Sequence, residues 1–214
     1  MVKFYETKTT FDYTWDQVAQ GFWQRYPNPE STHVLSEDTV YRQIKEGKLY
    51  SKRLLTKTNK LPKWGEKFIS TKIVKILEES VVDPKNKVLI TYTKNLGFQS
   101  IMSVSEKVVY KISEENPNKT MAIRTATIDS QVFGFAKAIQ AFGLERFKKN
   151  CNKAVNGFNF VLHSMFPHQH KHTDSITYAN TVTFRSNKEK LKDAAKKATN
   201  LAKSKTHFAK VENI

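Results

Sequence analysis

Three consecutive β-hairpins are predicted in the middle of the chain, and they constrain the fold more than any other feature. Their strands are rich in β-branched and aromatic residues, and the turns between them contain Gly, Pro or Asn. The predicted pairs are residues 39–44 with 49–55, 71–82 with 88–95, and 101–112 with 119–128. One more strand is predicted at residues 2–11. About seven strands joined mostly by tight turns favour an antiparallel sheet.

Two helical segments accompany these strands. Thr14 and Gln17 form a capping-box pattern, and apolar residues from Trp15 to Trp23 then recur on one helical face until Pro27 ends the pattern. A longer helical segment is predicted at residues 133–166, with glycines inside it that indicate a bend or close packing. The class is therefore α+β, a curved antiparallel sheet wrapped against a long C-terminal helix. That arrangement permits a cavity between sheet and helix suited to a small molecule or a lipid.

The charge of the chain points to an anionic partner. The 214 residues carry a formal net charge of +16, which suggests nucleic acid, an anionic membrane surface or an anionic ligand. We place a domain boundary after residue 166, where apolar periodicity ends, and treat 167–214 as a basic tail. Residues 188–205 suit a helix with an alanine-rich face, and either a solvated, partly disordered tail or lipid-headgroup binding fits it.

Catalytic, metal and nucleic-acid motifs are missing from the sequence. The seven glycines form no phosphate-binding loop, and no hydrolase or metalloprotease pattern is present, so no enzyme is predicted. Cys151 is the only cysteine, which excludes an internal disulfide and a CxxC metal site. His168, His170 and His172 alternate after Pro167, and we interpret them as a solvated turn rather than a metal site. No groove-reading motif favours nucleic acid, and no apolar stretch approaches membrane-spanning length.

Several basic residues of the first 166 residues are candidates for holding a phosphate. Cations at the mouth of a sheet–helix cavity suit that role, because arginine and lysine replace the hydration of an anion. The alternative is that each is an ordinary solvated surface cation. The candidates are Arg25, Arg53, Lys57, Arg146 and Lys153. The segment 58–65 carries Trp64 in a loop, where it either gates a pocket, contacts a membrane or packs against the core edge.

Motifs in the same order along residues 1–166 resemble those of the PRELI family. They are FWQRYPNP (22–29), HVLSED (33–38), RLLTKTN (53–59) followed by PKW (62–64), SVVDP (80–84), TYTKNL (91–96) and QAFGLERFK (140–148). The resemblance implies a seven-stranded curved sheet against a long helix, enclosing a lipid-binding cavity. It also implies a carrier without cofactor that moves phosphatidic acid from the outer to the inner mitochondrial membrane, supporting cardiolipin synthesis.

The resemblance also assigns residues and partners. Aligned with the family pattern, the lipid headgroup would be held by Arg25, His33, Arg53, Lys57, Arg146 and Lys153. A lid loop over the pocket would comprise Lys60, Leu61, Pro62, Lys63 and Trp64. The implied location is the mitochondrial intermembrane space. The implied partners are anionic mitochondrial membranes, visited transiently, and a small helical twin-CX9C protein.

Other functions remain open at this stage. The family also contains phosphatidylserine carriers, and the sequence at residues 25–26, 33–35 and 55–59 favours the phosphatidic acid branch. A non-carrying interaction module could use the same fold. A phosphoinositide-type carrier outside mitochondria is a further alternative, because lipid cavities of this shape recur in unrelated proteins.

Overall fold

The computed structural model describes residues 2–58 and 73–167 of the chain. The predicted lid at residues 60–64, His168, His170, His172 and the predicted tail helix at residues 188–205 lie outside these ranges. The boundary after residue 166 therefore stays a prediction. Within the described residues, no helix is both long enough and apolar enough to cross a membrane.

The described residues form the predicted antiparallel sheet and long helix. The seven strands are β1 (Lys3–Phe11), β2 (Val34–Lys45), β3 (Lys48–Thr58), β4 (Ile73–Asp83), β5 (Val88–Asn95), β6 (Ser103–Ile112) and β7 (Thr120–Asp129). Their spatial order is β1-β7-β6-β5-β4-β3-β2, so every strand from β2 to β7 pairs with its neighbour in sequence. β1 pairs with β7 and forms the edge of the sheet opposite β2. The three predicted hairpins and the α+β class are confirmed.

Strand β2 differs most from its prediction. It begins at Val34, five residues before the predicted start, and its pairing with β3 shifts register between Val34 and Ser36 and again between Thr39 and Tyr41. A bulge changes which face a side chain points to, so the alternation of apolar and polar residues breaks down there. The early part of β2 is also rich in polar residues. Because of both features, the start of β2 could not be predicted from the pattern of apolar residues.

The first helix is confirmed but is shorter than predicted. Helix α1 spans Trp15–Gly21, and Thr14 and Gln17 form the expected capping box. A 3₁₀ turn at Phe22–Gln24 follows, and a second at Pro29–Ser31 precedes β2. The helix thus ends before Pro27, and the chain turns towards the sheet at the residues that carry the first candidate cation, Arg25.

Helix α2 (Ala136–Met165) packs along the sheet and also contacts α1. Its glycines mark close packing. A side chain at Gly143 would collide with Met102, and one at Gly157 would collide with the amide of Asn28. A buried cluster that includes Phe11, Trp15, Phe22, Tyr110, Phe158 and Leu162 fixes α1 and the later half of α2 at one end of the sheet.

The face of the sheet that α2 covers is unusually polar. Along β3 and β4 the inward positions alternate with outward ones, and the inward set contains Arg53 and Glu78, which are 1% and 3% exposed. Burying a charge is costly unless it is paired and hydrogen-bonded. The buried charged side chains therefore need partners inside the protein, and these partners define the candidate site.

Candidate functional site

Four of the predicted site residues form one group, which we call the cation cluster: His33, Lys57, Arg146 and Lys153. His33 precedes β2, and its carbonyl accepts a hydrogen bond of 2.8 Å from the N–H of Thr58, which fixes it beside Lys57 at the end of β3. Arg146 and Lys153 approach from α2, and the charges of all three cations act on the His33 imidazole. The structure thus brings together residues that are far apart in sequence.

Burial lowers the pKa of three members of the cation cluster, His33, Lys57 and Arg146. Burial and then the charges of Lys57, Lys153 and Arg146 lower the pKa of His33 below 6.5, so the imidazole is neutral at neutral pH. Burial lowers the pKa of Lys57, Arg146 lowers it further, and Glu106 opposes the shift. Burial also lowers the pKa of Arg146. Partly buried cations that lie close together are stabilised when an anion binds beside them.

The other two predicted site residues form a second group with two carboxylates, which we call the ion-pair cluster: Arg25, Arg53, Glu37 and Glu78. Arg25 Nη2 donates to Glu78 Oε2 at 2.6 Å. Arg53 Nε donates to Glu78 Oε1 at 2.9 Å, Nη2 donates to the same oxygen, and Nη1 donates to Glu37 Oε1 at 2.5 Å. All three guanidinium nitrogens of Arg53 therefore already have carboxylate partners.

Aromatic rings complete the surroundings of these arginines. The Arg53 guanidinium carbon lies 4.6 Å from the ring centre of Phe22 and 5.1 Å from that of Trp23. Arg25 lies 4.1 Å from the ring centre of Phe22. A guanidinium over an aromatic face is stabilised electrostatically and by stacking. The 3₁₀ turn after α1 thus holds both arginines in place from one side, while β4 holds them from the other.

The carboxylates of the ion-pair cluster respond differently to burial. Burial raises the pKa of Glu78, but the attraction of Arg25 and Arg53 outweighs it, and the net pKa is lowered. Glu37 is only partly buried, yet for this carboxyl the burial outweighs the attraction of Arg53 and Arg25, so its pKa is raised. Glu78 is therefore the permanent counter-charge of the two arginines.

A small cavity of about 30 Å³ lies beside the ion-pair cluster, between the sheet and α2. Its wall combines polar groups, including Arg25, Tyr26 and Arg124, with apolar side chains such as Phe158. Arg25 Nε is buried and has no hydrogen-bond partner within the part of the chain that the structure describes. One buried donor next to the cavity therefore remains available to a polar ligand.

A larger depression of about 290 Å³ lies on the opposite face of the sheet. It is open and mostly apolar, and Phe4, Tyr92 and Lys107 contribute to it. These residues alternate with the inward positions of their strands, so they face away from α2. The depression is therefore separate from both cation-bearing groups.

Sequence reasoning missed the acidic half of the site. Glu78 lies on β4 at alternate positions with Ser80 and Val82, and all three side chains face inward. A charged residue among these inward-facing positions was the feature of the sequence that could have indicated a buried carboxylate. Glu106 and Arg124 form another inward pair on β6 and β7, with Glu106 Oε1 2.9 Å from Arg124 Nε. The described residues contain no group of three or more His, Cys, Asp or Glu placed to hold a metal ion.

The fold and the site define a class of protein: a curved antiparallel sheet and long helix with a polar, cation-bearing interior. Solved structures share the fold. The protein TTHA0849 from Thermus thermophilus superposes with a TM-score of 0.53 over 77% of this chain and 99% of that one, at 13% identity. The Zhui aromatase/cyclase from Streptomyces gives a TM-score of 0.52 at 11% identity, over 76% and 94%.

Sequence comparison then identifies the family. The model of the PRELI-like family matches residues 16–169. "PRELI domain-containing protein 1, mitochondrial" of Gallus gallus is 48% identical over 71% of this chain and 72% of the relative, and that of Homo sapiens is 43% identical over 76% of each. "Protein UPS1, mitochondrial" of Saccharomyces cerevisiae is 33% identical over 77% and 95%. The chain belongs to the PRELI family.

Proposed function

We propose that this protein carries phosphatidic acid from the outer to the inner mitochondrial membrane and so supports cardiolipin synthesis. The single observation that carries the proposal is the convergence of His33, Lys57, Arg146 and Lys153 beside the space between sheet and helix. A phosphate monoester supplies up to two negative charges and several acceptor oxygens to such a group. Family membership supports a mitochondrial role, since the relatives described above are named mitochondrial.

The cargo needs apolar shielding as well as cations. Each buried CH₂ of an acyl chain is worth about 0.8 kcal/mol, so exposed chains make transfer through water extremely slow. The cavity of about 30 Å³ is far smaller than ligand pockets, which measure roughly 300–1,000 Å³. Neither a headgroup nor two acyl chains fit until the space between sheet and helix widens. Loading is therefore coupled to a change in shape, which a lid at residues 60–64 would allow.

The remaining parts of the proposal concern location and partners. The carrier acts in the intermembrane space, visits anionic membranes transiently, and forms a heterodimer with a small twin-CX9C helical protein. It makes and breaks no bond in its cargo and uses no cofactor. Submitochondrial fractionation and cross-linking test location and partner. Mass spectrometry of the cargo before and after transfer tests the absence of chemistry.

Transfer between liposomes is the decisive experiment. Fluorescent phosphatidic acid and phosphatidylserine are offered separately in donor vesicles, and transfer to acceptor vesicles is followed with the twin-CX9C partner present. Lys57→Glu reverses one charge of the cation cluster, and Lys85→Glu makes the same charge change in the exposed β4–β5 turn. We expect transfer of phosphatidic acid to fall at least tenfold with Lys57→Glu and to be unchanged with Lys85→Glu, because a charge-assisted hydrogen bond is worth about 1.5–3 kcal/mol.

Each other outcome selects an alternative. Transfer of phosphatidylserine alone would favour the other branch of the family. Transfer of phosphoinositides by a protein found outside mitochondria would favour a carrier of that class. A folded protein that extracts none of these lipids would leave an interaction module as the function.

A further inference from the structure

One end of the sheet, which we call the rim, combines exposed apolar side chains with cations. It is the end at which β1, β2, β4 and β6 begin and β3, β5 and β7 end, because antiparallel pairing places these termini side by side. Helix α2 also starts there, since Gln140 Nε2 donates to Asp129 Oδ1 at the end of β7 (3.0 Å). The cation cluster lies at the same end, because Lys57 pairs with Val34 and Val74.

The most exposed large apolar side chain of the described residues is at the rim. Phe133 is 99% exposed and Phe135 is 59% exposed, and both lie in the loop from β7 to α2. Phe4 and Leu96, at 62% and 44%, lie at the rim ends of β1 and β5. Single exposed apolar residues are common, but several at one end of a molecule mark a surface that binds another apolar phase.

The loop that carries the two phenylalanines has a defined conformation. The N–H of Phe135 donates to the carbonyl of Val132 at 3.1 Å, which closes a tight turn. Gly134, between the two aromatic residues, has a φ of +77°, a backbone conformation that favours glycine. The turn therefore projects both phenyl rings at little cost in conformational entropy when they bind.

Lysines surround this apolar surface. Lys3, Lys75, Lys94 and Lys137 are exposed at the rim, and none is within ion-pair distance of a carboxylate in the described ranges. The opposite end of the sheet is different, because there Lys48 pairs with Asp83 (3.2 Å), Lys87 with Asp16 (2.6 Å) and Lys119 with Asp12 (2.6 Å). Four exposed lysines without a carboxylate partner among the described residues thus lie at the same end of the sheet as Phe133 and Phe135.

We propose that the rim is the surface that docks on an anionic lipid bilayer, with Phe133 and Phe135 inserted among the headgroups. Aromatic rings favour the membrane interface, and the surrounding lysines meet acidic headgroups. The proposal rests on the proposed function only in its consequence: the cation cluster then opens towards the membrane that supplies or receives the cargo. A protein partner with an acidic, apolar surface is the competing occupant.

Vesicle flotation tests the proposal with the full chain. The vesicles are phosphatidylcholine with and without about 30% anionic lipid, and the variant is Phe133→Ser with Phe135→Ser. Ile44→Ser is the matched control, because Ile44 is 74% exposed at the opposite end of the sheet. We expect roughly tenfold weaker binding to anionic vesicles for the double variant and no change for the control. Equal binding by the double variant, or an equal loss with Ile44→Ser, overturns the proposal.

Charge neutralisation tests the second component. Lys75→Gln with Lys94→Gln should weaken binding roughly fivefold per lysine and reduce its dependence on salt. Lys48→Gln and Lys119→Gln are matched controls, because both lysines already have carboxylate partners. Binding that is unaffected by Lys75→Gln and Lys94→Gln contradicts an electrostatic role for the rim.

An insertion probe reports on the loop directly. Cys151→Ser removes the only cysteine, and Phe133→Cys then allows a single environment-sensitive fluorophore, with Ile44→Cys as the comparison. Anionic vesicles should increase the emission only of the label at position 133. An unchanged emission at position 133 while the protein floats with vesicles would show that another surface docks.

Failure of this proposal and failure of the proposed function are distinguishable. If the wild type binds vesicles through the rim but extracts no lipid, the docking surface stands and the carrier fails. If lipid extraction and vesicle binding both survive Phe133→Ser with Phe135→Ser, the carrier stands and the membrane docks on another surface, which overturns this inference.

Discussion

The inner face of the sheet carries two groups of cations that differ in their counter-charges. In the ion-pair cluster, Arg53 is 1% exposed and all its guanidinium nitrogens donate to Glu37 or Glu78. In the cation cluster, Lys57 and Arg146 repel one another and jointly depress the pKa of His33. The sequence motifs treat these residues as one headgroup site. The structure separates them into one group whose arginines donate to Glu37 and Glu78, and a second group in which burial and neighbouring cations lower the pKa of His33.

The difference indicates a division of labour. A cation that is already paired with a buried carboxylate gains little from a second anion, because its charge is neutralised and its donors are occupied. Partly buried cations that repel one another are stabilised more strongly when an anion binds. Arg53 therefore maintains the shape of the interior, and the cation cluster attracts the headgroup. Arg25 is intermediate, because its Nη2 binds Glu78 while its buried Nε has no described partner.

The largest expected effect comes from breaking the ion-pair cluster. Glu78→Gln leaves two buried arginines without their permanent counter-charge, and removal of one partner from such a pair costs about 3–5 kcal/mol. We expect the free energy of unfolding to fall by that amount in chemical denaturation. Glu37→Gln is the milder companion, because the Glu37 side chain is 20% exposed and its pKa is already raised. A loss below about 1 kcal/mol for Glu78→Gln would contradict a stabilising role.

The opposite pattern is expected for the cation cluster. Lys57→Gln removes a buried charge and its repulsion from Arg146 but also loses the attraction of Glu106, so the free energy of unfolding should stay within about 0.5 kcal/mol of the wild type. Binding of phosphatidic acid should weaken about tenfold, the equivalent of about 1.4 kcal/mol. Denaturation and equilibrium lipid binding on the same preparation measure both quantities. If Lys57→Gln lowers the free energy of unfolding and leaves the affinity for phosphatidic acid unchanged, the distinction between the cation cluster and the ion-pair cluster is contradicted.

A smaller effect is expected from pH. Burial and three neighbouring cations keep the pKa of His33 below 6.5, and a bound anion raises that pKa by stabilising the imidazolium. Protonation and anion binding therefore favour one another, so affinity should increase as pH falls through the bound-state pKa and level off below the free-state pKa. We expect a change of a few-fold.

The comparison variant for this pH effect is His33→Gln. The phosphate of the lipid also titrates, so the relevant quantity is the difference between wild type and variant at each pH. Lipid binding measured from about pH 7.5 to 5.5 spans the ordinary histidine pKa. Parallel curves for wild type and His33→Gln would show that His33 takes no part in the linkage.

Local patterns predicted the fold well where they were regular. The capping box of Thr14 and Gln17, the three hairpin turns and the long helix followed from turn chemistry and apolar periodicity, and each is present. The start of β2 did not follow, because its two register shifts interrupt the alternation between Val34 and Tyr41. The 3₁₀ turn at Phe22–Gln24 extends the same apolar face as α1, so the pattern could not mark where the helix ends.

The candidate cations could be selected from sequence because they are charged residues within recognisable motifs. Their grouping could not, because it depends on which positively charged side chain meets which carboxylate across the sheet. Arg53 and Glu78 are 25 residues apart and become neighbours only through the register of β3 and β4. Glu78 does not belong to a recognisable motif. It differs from Glu79 only because its side chain faces inward from β4.

The sequence by itself determined the class of fold, the family and the positive charge of the chain, because these depend on local periodicity, turn residues and composition. Only the tertiary structure decided which arginines donate to buried carboxylates. It also placed Phe133 and Phe135 at the same end of the sheet as exposed lysines that have no carboxylate partner among the described residues. The physical reason is that the energy of a charge depends on burial and on its neighbours within a few ångströms, and folding alone sets both.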